Sequence, residues 1–228
     1  MLTDGSLMAI KDGVAWTLLP FVEGGILGLD EDSVRSLGET QARMHLIPVA
    51  DCFPKSYRMG FELFEEVISL SSRMGVSNPF VEMLSSRIAE TKLDFPSDLP
   101  MGVLHGDLFP DNVIGGGGGV SAILDLEEAW IGPMAFDIAM SCVGFGWDGT
   151  VPVWSRWKAL FDGYQSVRKL SQKEVDCLPF LHQFATLCIA SWRFWKHNLR
   201  EPDELLSNRY VEMVHRLSVE IDFSEVLG

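Results

Sequence analysis

The chain has 228 residues, 47% of them hydrophobic, with 32 acidic against 18 basic side chains and a formal charge of −14. That length and apolar content suffice for the core of one domain, or one and a fraction. The acidic balance argues against nucleic acid or an anionic membrane as partner, since both favour basic patches, and it suits a small cationic or zwitterionic substrate. Residues 1–10 lack the charged start and long apolar stretch of a signal peptide. The longest apolar run, Val14 to Val22, is broken by Thr17 and Pro20 and is too short to span a bilayer. Cys52, Cys142, Cys177 and Cys188 show no metal-ligand or CxxC spacing, as expected of free thiols in a reducing cytoplasm.

In chain order, Leu7 to Ile10 alternates, Lys11-Asp12-Gly13 is a turn, and Val14 to Leu19 is a second apolar run, which together predict a β-hairpin. Pro20 to Gly25 then breaks the strand. From residue 31 the period becomes helical: Val34, Leu37 and Met44 share a face, and so do Phe80, Met83, Leu84 and Ile88. Pro48, Pro54 and the stretch from Phe95 to Pro100 separate these helices. Val113-Ile114 and Val120 to Leu124 read as two short strands joined by the glycines Gly115 to Gly119. No Lys-Ser or Lys-Thr and no helix start follows those glycines, so they form a turn and not a phosphate cradle. Helices are expected near 134–144, 153–166, 172–197 and 204–220, the third opened by a capping box at Ser171-Gln172-Lys173-Glu174. Trp154, Trp157, Trp192 and Trp195 read as core aromatics.

The chemistry concentrates in His105-Gly106-Asp107-Leu108-Phe109-Pro110-Asp111-Asn112 and in Ile123-Leu124-Asp125. Phosphoryl transfer needs an oriented hydroxyl nucleophile and a divalent ion bridging the phosphates, so the protein's task is to position charge. Asp107 is the candidate base. Asn112 offers a neutral oxygen and Asp125 an anionic one, a set suited to Mg²⁺ and not to zinc. The predicted glycine-turned hairpin brings Asn112 and Asp125 side by side. His105 is read as a structural hydrogen-bonding residue.

The string from His105 to Asn112 resembles the catalytic loop of the aminoglycoside phosphotransferase and choline kinase superfamily, and within it the H-(G/A)-D-L-F-P-D-N-V string of homoserine kinases. Leu37 to His45 resembles that group's L-G-x-x-x-A-x-x-H helix, Phe136-Asp137-Ile138-Ala139 its Y/F-D-L-A segment, and Arg193-Phe194-Trp195 its R-F-W helix. The departure is at Leu126-Glu127-Glu128-Ala129-Trp130, which is nearer the D-F-E-x-A of the wider superfamily. The resemblance implies an α+β, protein-kinase-like fold: a remnant N-lobe hairpin and hinge over residues 1–24, then a mainly helical C-lobe with a catalytic β-hairpin over 25–228. It implies a nucleotide site with Phe21 and Val22 at the hinge and Leu124 beside it, and Trp147 and Arg193 bordering the acceptor pocket, where Arg193 could pair with a carboxylate.

The expected activity is ATP- and Mg²⁺-dependent phosphorylation of a small alcohol, homoserine first. Choline, ethanolamine or an aminoglycoside is the alternative acceptor, and a non-catalytic binding module is a further alternative. The oligomeric state is left open. Only about twenty residues precede Phe21, too few for the Gly-rich loop, strand Lys and helix Glu of a whole N-lobe. Met8-Ala9-Ile10-Lys11 imitates the strand-Lys string but adjoins a two-residue turn. The chain is therefore expected to be a truncated product, a partial gene product or a fragment starting inside the N-lobe, with low activity and an exposed apolar hairpin edge.

Overall fold

Short polar signals set where the elements begin. The computed structural model describes residues 8–227. Asp12-Gly13 turns Met8–Lys11 (β1) onto Val14–Thr17 (β2), with Lys11 opposite Val14, the two-residue connection that Asp-Gly favours. Leu7, which opens the alternating run, lies outside the described residues. Gly25–Ile26 (β3) precedes Glu31–His45 (α1), whose N-cap Asp30 accepts the Ser33 N–H at 3.0 Å. Phe61–Met74 (α2) and Pro79–Leu93 (α3) follow; Asn78 caps α3, and Pro79 stands in its first turn, where a helix has no use for the N–H. Next come Met101–Leu104 (β4), Val113–Gly116 (β5), Gly119–Ile123 (β6) and Trp130–Pro133 (β7), which runs directly into Met134–Phe145 (α4). The remainder is Trp147–Asp148 (β8), Val151–Pro152 (β9), Trp154–Val167 (α5), Gln172–Phe194 (α6), Arg209–Leu217 (α7) and Ser224–Leu227 (α8). The capping box of α6 is formed, with Ser171 and Glu174 satisfying each other's backbone N–H.

The strands pair antiparallel as β1-β2, β3-β5-β6, β4-β7 and β8-β9. Two of these pairings locate the chemistry. Leu104 lies opposite Trp130 across β4-β7, and Val113 lies opposite Ile123 across β5-β6. The loop 105–112 and the segment 124–129 are thus clamped at both ends against each other, which sets Asn112 and Asp125 at adjoining strand ends.

The core is helical. Helix α4 is buried almost all round, and Phe136 packs with Phe184 of α6, which also meets Phe64 of α2. An apolar helix of that kind belongs inside a larger body. Helices α1 and α5 cross at such close range that a Cβ on Gly38 would overlap the Leu160 carbonyl oxygen, and one on Gly163 the Arg35 carbonyl oxygen. The β1-β2 hairpin contrasts with this. Ile10 is 72% exposed and Trp16 62%, so its apolar side chains cover no core.

Two helices differ from the sequence expectation. The α-helix beginning at Gln172 ends at Phe194, and Trp195–Arg200 winds as a π-helix. The last long helix starts at Arg209 and not near 204. Glu201 precedes Pro202 and is pushed out of the helical region, with φ −134° and ψ 73°. Asp203 then accepts the Leu205 N–H at 2.9 Å, a local bond that competes with helix formation.

Gly38→Ala and Gly163→Ala should each destabilise the fold by about 1–3 kcal/mol through overpacking. Alanine is the better helix former by about 1 kcal/mol, so propensity alone predicts the opposite sign. Urea unfolding of each variant measures the difference.

Candidate active site

The loop 105–112 hangs from one buried carboxylate. Asp137 of α4 accepts the His105 N–H at 3.1 Å and the Gly106 N–H at 2.8 Å, and Gln41 and His45 of α1 reach it at 3.1 and 3.0 Å. Burial pushes its pKa up, but the His45 hydrogen bond and charge, with His105 and the Gly106 N–H, outweigh that and hold it down at about 2. The network continues outward. The Tyr164 hydroxyl lies 2.8 Å from His45 Nδ1 and accepts from Arg168, and Arg168 donates to Glu174 of the capping box at 2.8 Å. Burial keeps the Tyr164 phenol protonated.

Gly106 must be glycine. Its φ is +82°, and a Cβ would come within 2.6 Å of the Glu128 carbonyl oxygen. Its own carbonyl accepts from the Tyr57 hydroxyl. His105 joins the loop to the segment that carries Asp125: Nε2 lies 2.7 Å from the Leu124 carbonyl oxygen, and Nδ1 accepts the Asp107 N–H at 3.2 Å. A carbonyl only accepts and an amide only donates, so Nε2 is the donor and Nδ1 the acceptor in these two contacts.

Asp107 points into a cavity of about 420 Å³ that Asp125 also lines, along with Phe109, Asp111, Trp192 and Lys196. Desolvation raises the Asp107 pKa to about 6, with Asp111, Glu128 and Asp125 adding to it and His105 opposing it. The Asn112 amide donates to the Asp107 carbonyl at 2.8 Å and to its carboxylate at 3.4 Å, which leaves the Asn112 side-chain oxygen for another partner. Asp125 is exposed and holds φ 58°, a left-handed conformation that a non-glycine residue adopts where its surroundings demand it. Together these are hard oxygen donors, one charged and one neutral, and they fit Mg²⁺. Among the described residues no group of three or more His, Cys, Asp or Glu side chains could hold a metal alone. An ion held by this pair would need its other ligands from water or a bound phosphate.

The other expected site residues are dispersed. Phe21 is 91% exposed on the coil before β3, and Val22 is beside it; Leu124 adjoins Asp125, its carbonyl engaged by His105. None of the three lines the cavity. Trp147 is not at the cavity either: it is buried, stacked on His182, with the Arg216 guanidinium 5.0 Å from its ring. Arg193 does line the cavity, but it donates to Glu212 at 2.8 Å and to the Arg209 carbonyl at 3.1 Å. Trp192, expected in the core, is part of the cavity wall. Arg58, Lys196 and Arg209 also line it, and no pattern of spacing marks them in the sequence.

Residues 4–170 match the profile of the phosphotransferase enzyme family. The chain is 32% identical over 190 residues to a homoserine kinase of Agrobacterium fabrum, covering 81% of this chain and 58% of the relative. It is 28% identical over 209 residues to a homoserine kinase of Rhizobium meliloti, covering 89% and 64%. The chain thus spans less than two thirds of the length of these curated relatives. Among solved structures, an ethanolamine kinase of Plasmodium vivax superposes with a TM-score of 0.69 at 14% identity, over 96% of this chain and 68% of that one. An amicoumacin kinase in complex with AMP-PNP, Ca²⁺ and Ami superposes with a TM-score of 0.68 at 16% identity, over 98% and 73%. The architecture is the α+β kinase-like fold, mainly helical, with the β5-β6 hairpin between Asn112 and Asp125.

The two displaced carboxyl groups have opposite effects on stability. Asp137 sits below its unfolded value of 3.8, so its contribution, roughly 2 kcal/mol, is present above pH 4 and is lost as the pH falls toward 2. Asp107 sits above 3.8, so its cost is absent at pH 4 and complete above pH 6. Asp137→Asn should therefore be much less stable than wild type at pH 7, with the gap narrowing in acid. Asp107→Asn should be more stable by about 2 kcal/mol at pH 7 and equal near pH 4. Urea titrations of the three proteins across that range decide both.

Proposed function

The chain belongs to the phosphotransferase enzyme family, and on that premise we propose that it serves transfer of the γ-phosphoryl group of ATP to the hydroxyl of a small acceptor of the homoserine type. The observation that carries this reading is the Asp107 carboxyl, raised to about 6 and opening onto the same cavity as Asp125. A base with its pKa near the working pH is ionised when needed and still basic enough to take a proton. The acceptor enters the cavity with its hydroxyl toward Asp107, which orients it and receives its proton as the oxygen attacks. The Asn112 amide, bound to the Asp107 carbonyl and carboxylate, keeps that carboxylate in register.

Asn112 and Asp125 would hold Mg²⁺. When bound, the ion supplies the positive charge that neutralises the phosphates during transfer. The relatives' names favour homoserine as acceptor, and the amicoumacin kinase, solved with a nucleotide analogue and a divalent ion, favours nucleotide binding on this fold. Of the described residues, 8–24 are the end of the smaller lobe and the hinge, with Phe21 and Val22 assigned to the adenine, while 25–227 belong to the larger lobe. Leu124, adjoining Asp125, is the third residue assigned to the nucleotide site. The cysteines are free, and none of the helices in the described residues is long and apolar enough to cross a membrane. These features suit work on small molecules in a reducing cytoplasm.

Turnover of L-homoserine with Mg-ATP should fall by about 10²–10⁴ in Asp107→Asn with nucleotide affinity nearly unchanged. In the parent the rate should decline as the pH drops below about 6. Asp125→Ala should instead abolish Mg²⁺-dependent ATP binding, and Asn112→Ala should weaken it less, because an anionic ligand offsets the ion's desolvation more than an amide does. A coupled assay and calorimetry measure these effects, and Asp107→Asn with parental turnover would remove the base from the mechanism.

A further inference from the structure

The cations around the cavity are not equivalent. Arg58 is neutralised by a two-bond pair with Glu128. Arg193 is paired with Glu212, which it shares with Arg216 at 2.5 Å. Lys196 and Arg209 line the same cavity, and among the described residues neither has a carboxylate within ion-pair distance. In a chain with 32 acidic and 18 basic side chains, two uncompensated cations on one cavity wall are a charge held open for a ligand.

Their setting supports this. The Lys196 ammonium lies 5.0 Å from the centroid of Trp192, itself a wall residue, and a cation over an aromatic face keeps its charge while losing freedom of position. Lys196 also stands in the π-helical segment Trp195–Arg200, a winding that occurs mostly as short insertions in α-helices and often at functional sites. Arg209 opens α7 just beyond, with its carbonyl tied to Arg193. The rest of the cavity is acidic, with Asp107, Asp111, Asp125 and Glu127. An acceptor carrying only an ammonium group finds partners among these acids but none at Lys196 and Arg209, which repel it.

We propose that Lys196 and Arg209 bind a carboxylate of the acceptor, so that the cavity selects a hydroxy amino acid over a purely cationic amino alcohol; this rests on the phosphotransferase reading above. The zwitterion is matched end to end, its carboxylate at the cationic wall, its ammonium among the acids, and its hydroxyl at Asp107. Specificity then arises from attraction of one acceptor and repulsion of the other.

The test is calorimetric titration of the full chain, in the presence of Mg-ATP, with L-homoserine and with the aminopropanol that lacks only its carboxylate. Wild type should prefer homoserine by about tenfold or more, as a charge-assisted pair implies. Lys196→Met, which keeps an apolar stem over Trp192, should erase most of the preference, and Arg209→Gln should reduce it. Lys196→Arg should retain it. Thermal unfolding of each variant at the wild-type midpoint separates lost recognition from lost folding. Equal affinities in wild type, no saturable homoserine binding, or a preference unchanged in both neutral variants would overturn the proposal. Titration of Mg-ATP into the same samples distinguishes the two readings. Wild type that fails to bind Mg-ATP brings down both, whereas Mg-ATP binding without a homoserine preference brings down only the carboxylate wall.

Discussion

Everything near the cavity depends on the carboxylate of Asp137. It is fully buried, an arrangement that would be costly for an unpaired charge, and it is tolerated because two backbone N–H groups and two side chains converge on it. The two N–H groups belong to His105 and Gly106, so the start of the 105–112 loop has one position relative to α4. From there the geometry propagates without further choice. Gly106 turns the chain, His105 ties the Leu124 carbonyl and the Asp107 N–H through its ring, and Asn112 closes back onto Asp107. The outer chain from His45 through Tyr164 and Arg168 to Glu174 connects this loop with the N-terminus of α6, whose far end supplies Trp192 and Arg193 to the cavity wall.

Two carboxyl groups thirty residues apart in sequence are driven in opposite directions by their surroundings. Asp137 is surrounded by donors and is held ionised; Asp107 is desolvated, faces other acids, and has its pKa raised to about 6. Environments that split like groups in this way allow one fold to assign a structural role to one and a proton-transfer role to the other. The stability contributed by Asp137 is opposite in sign to the desolvation cost of an ionised Asp107.

Much of this was legible in the chain. Asp12-Gly13, the glycine turn of β5-β6 and the Ser171 capping box are local signals, in which a residue's own backbone preference or a partner three residues away decides the outcome, and they formed as read. The kinase-like fold followed from the motif strings. What escaped was non-local. Asp137 draws partners from 92 and 96 residues upstream, and no spacing rule reports that convergence. Trp147 was placed at the acceptor pocket by resemblance, yet its flat face found a better partner in His182 and the Arg216 guanidinium. Lys196 lies in a stretch that reads as continuous α-helix, because period-based reading has no term for a π-helical turn.

The β1-β2 hairpin stands apart from this interlocked body. It is a two-stranded sheet with its apolar side chains in water, and such a unit is marginal on its own. The free energy that protects its backbone hydrogen bonds is therefore nearly uncoupled from the free energy that protects α4 and the 105–112 loop. In amide hydrogen exchange the two regions belong to different cooperative units: the hairpin exchanges by local opening, while the amides donated to Asp137 exchange only when the helical body itself comes apart.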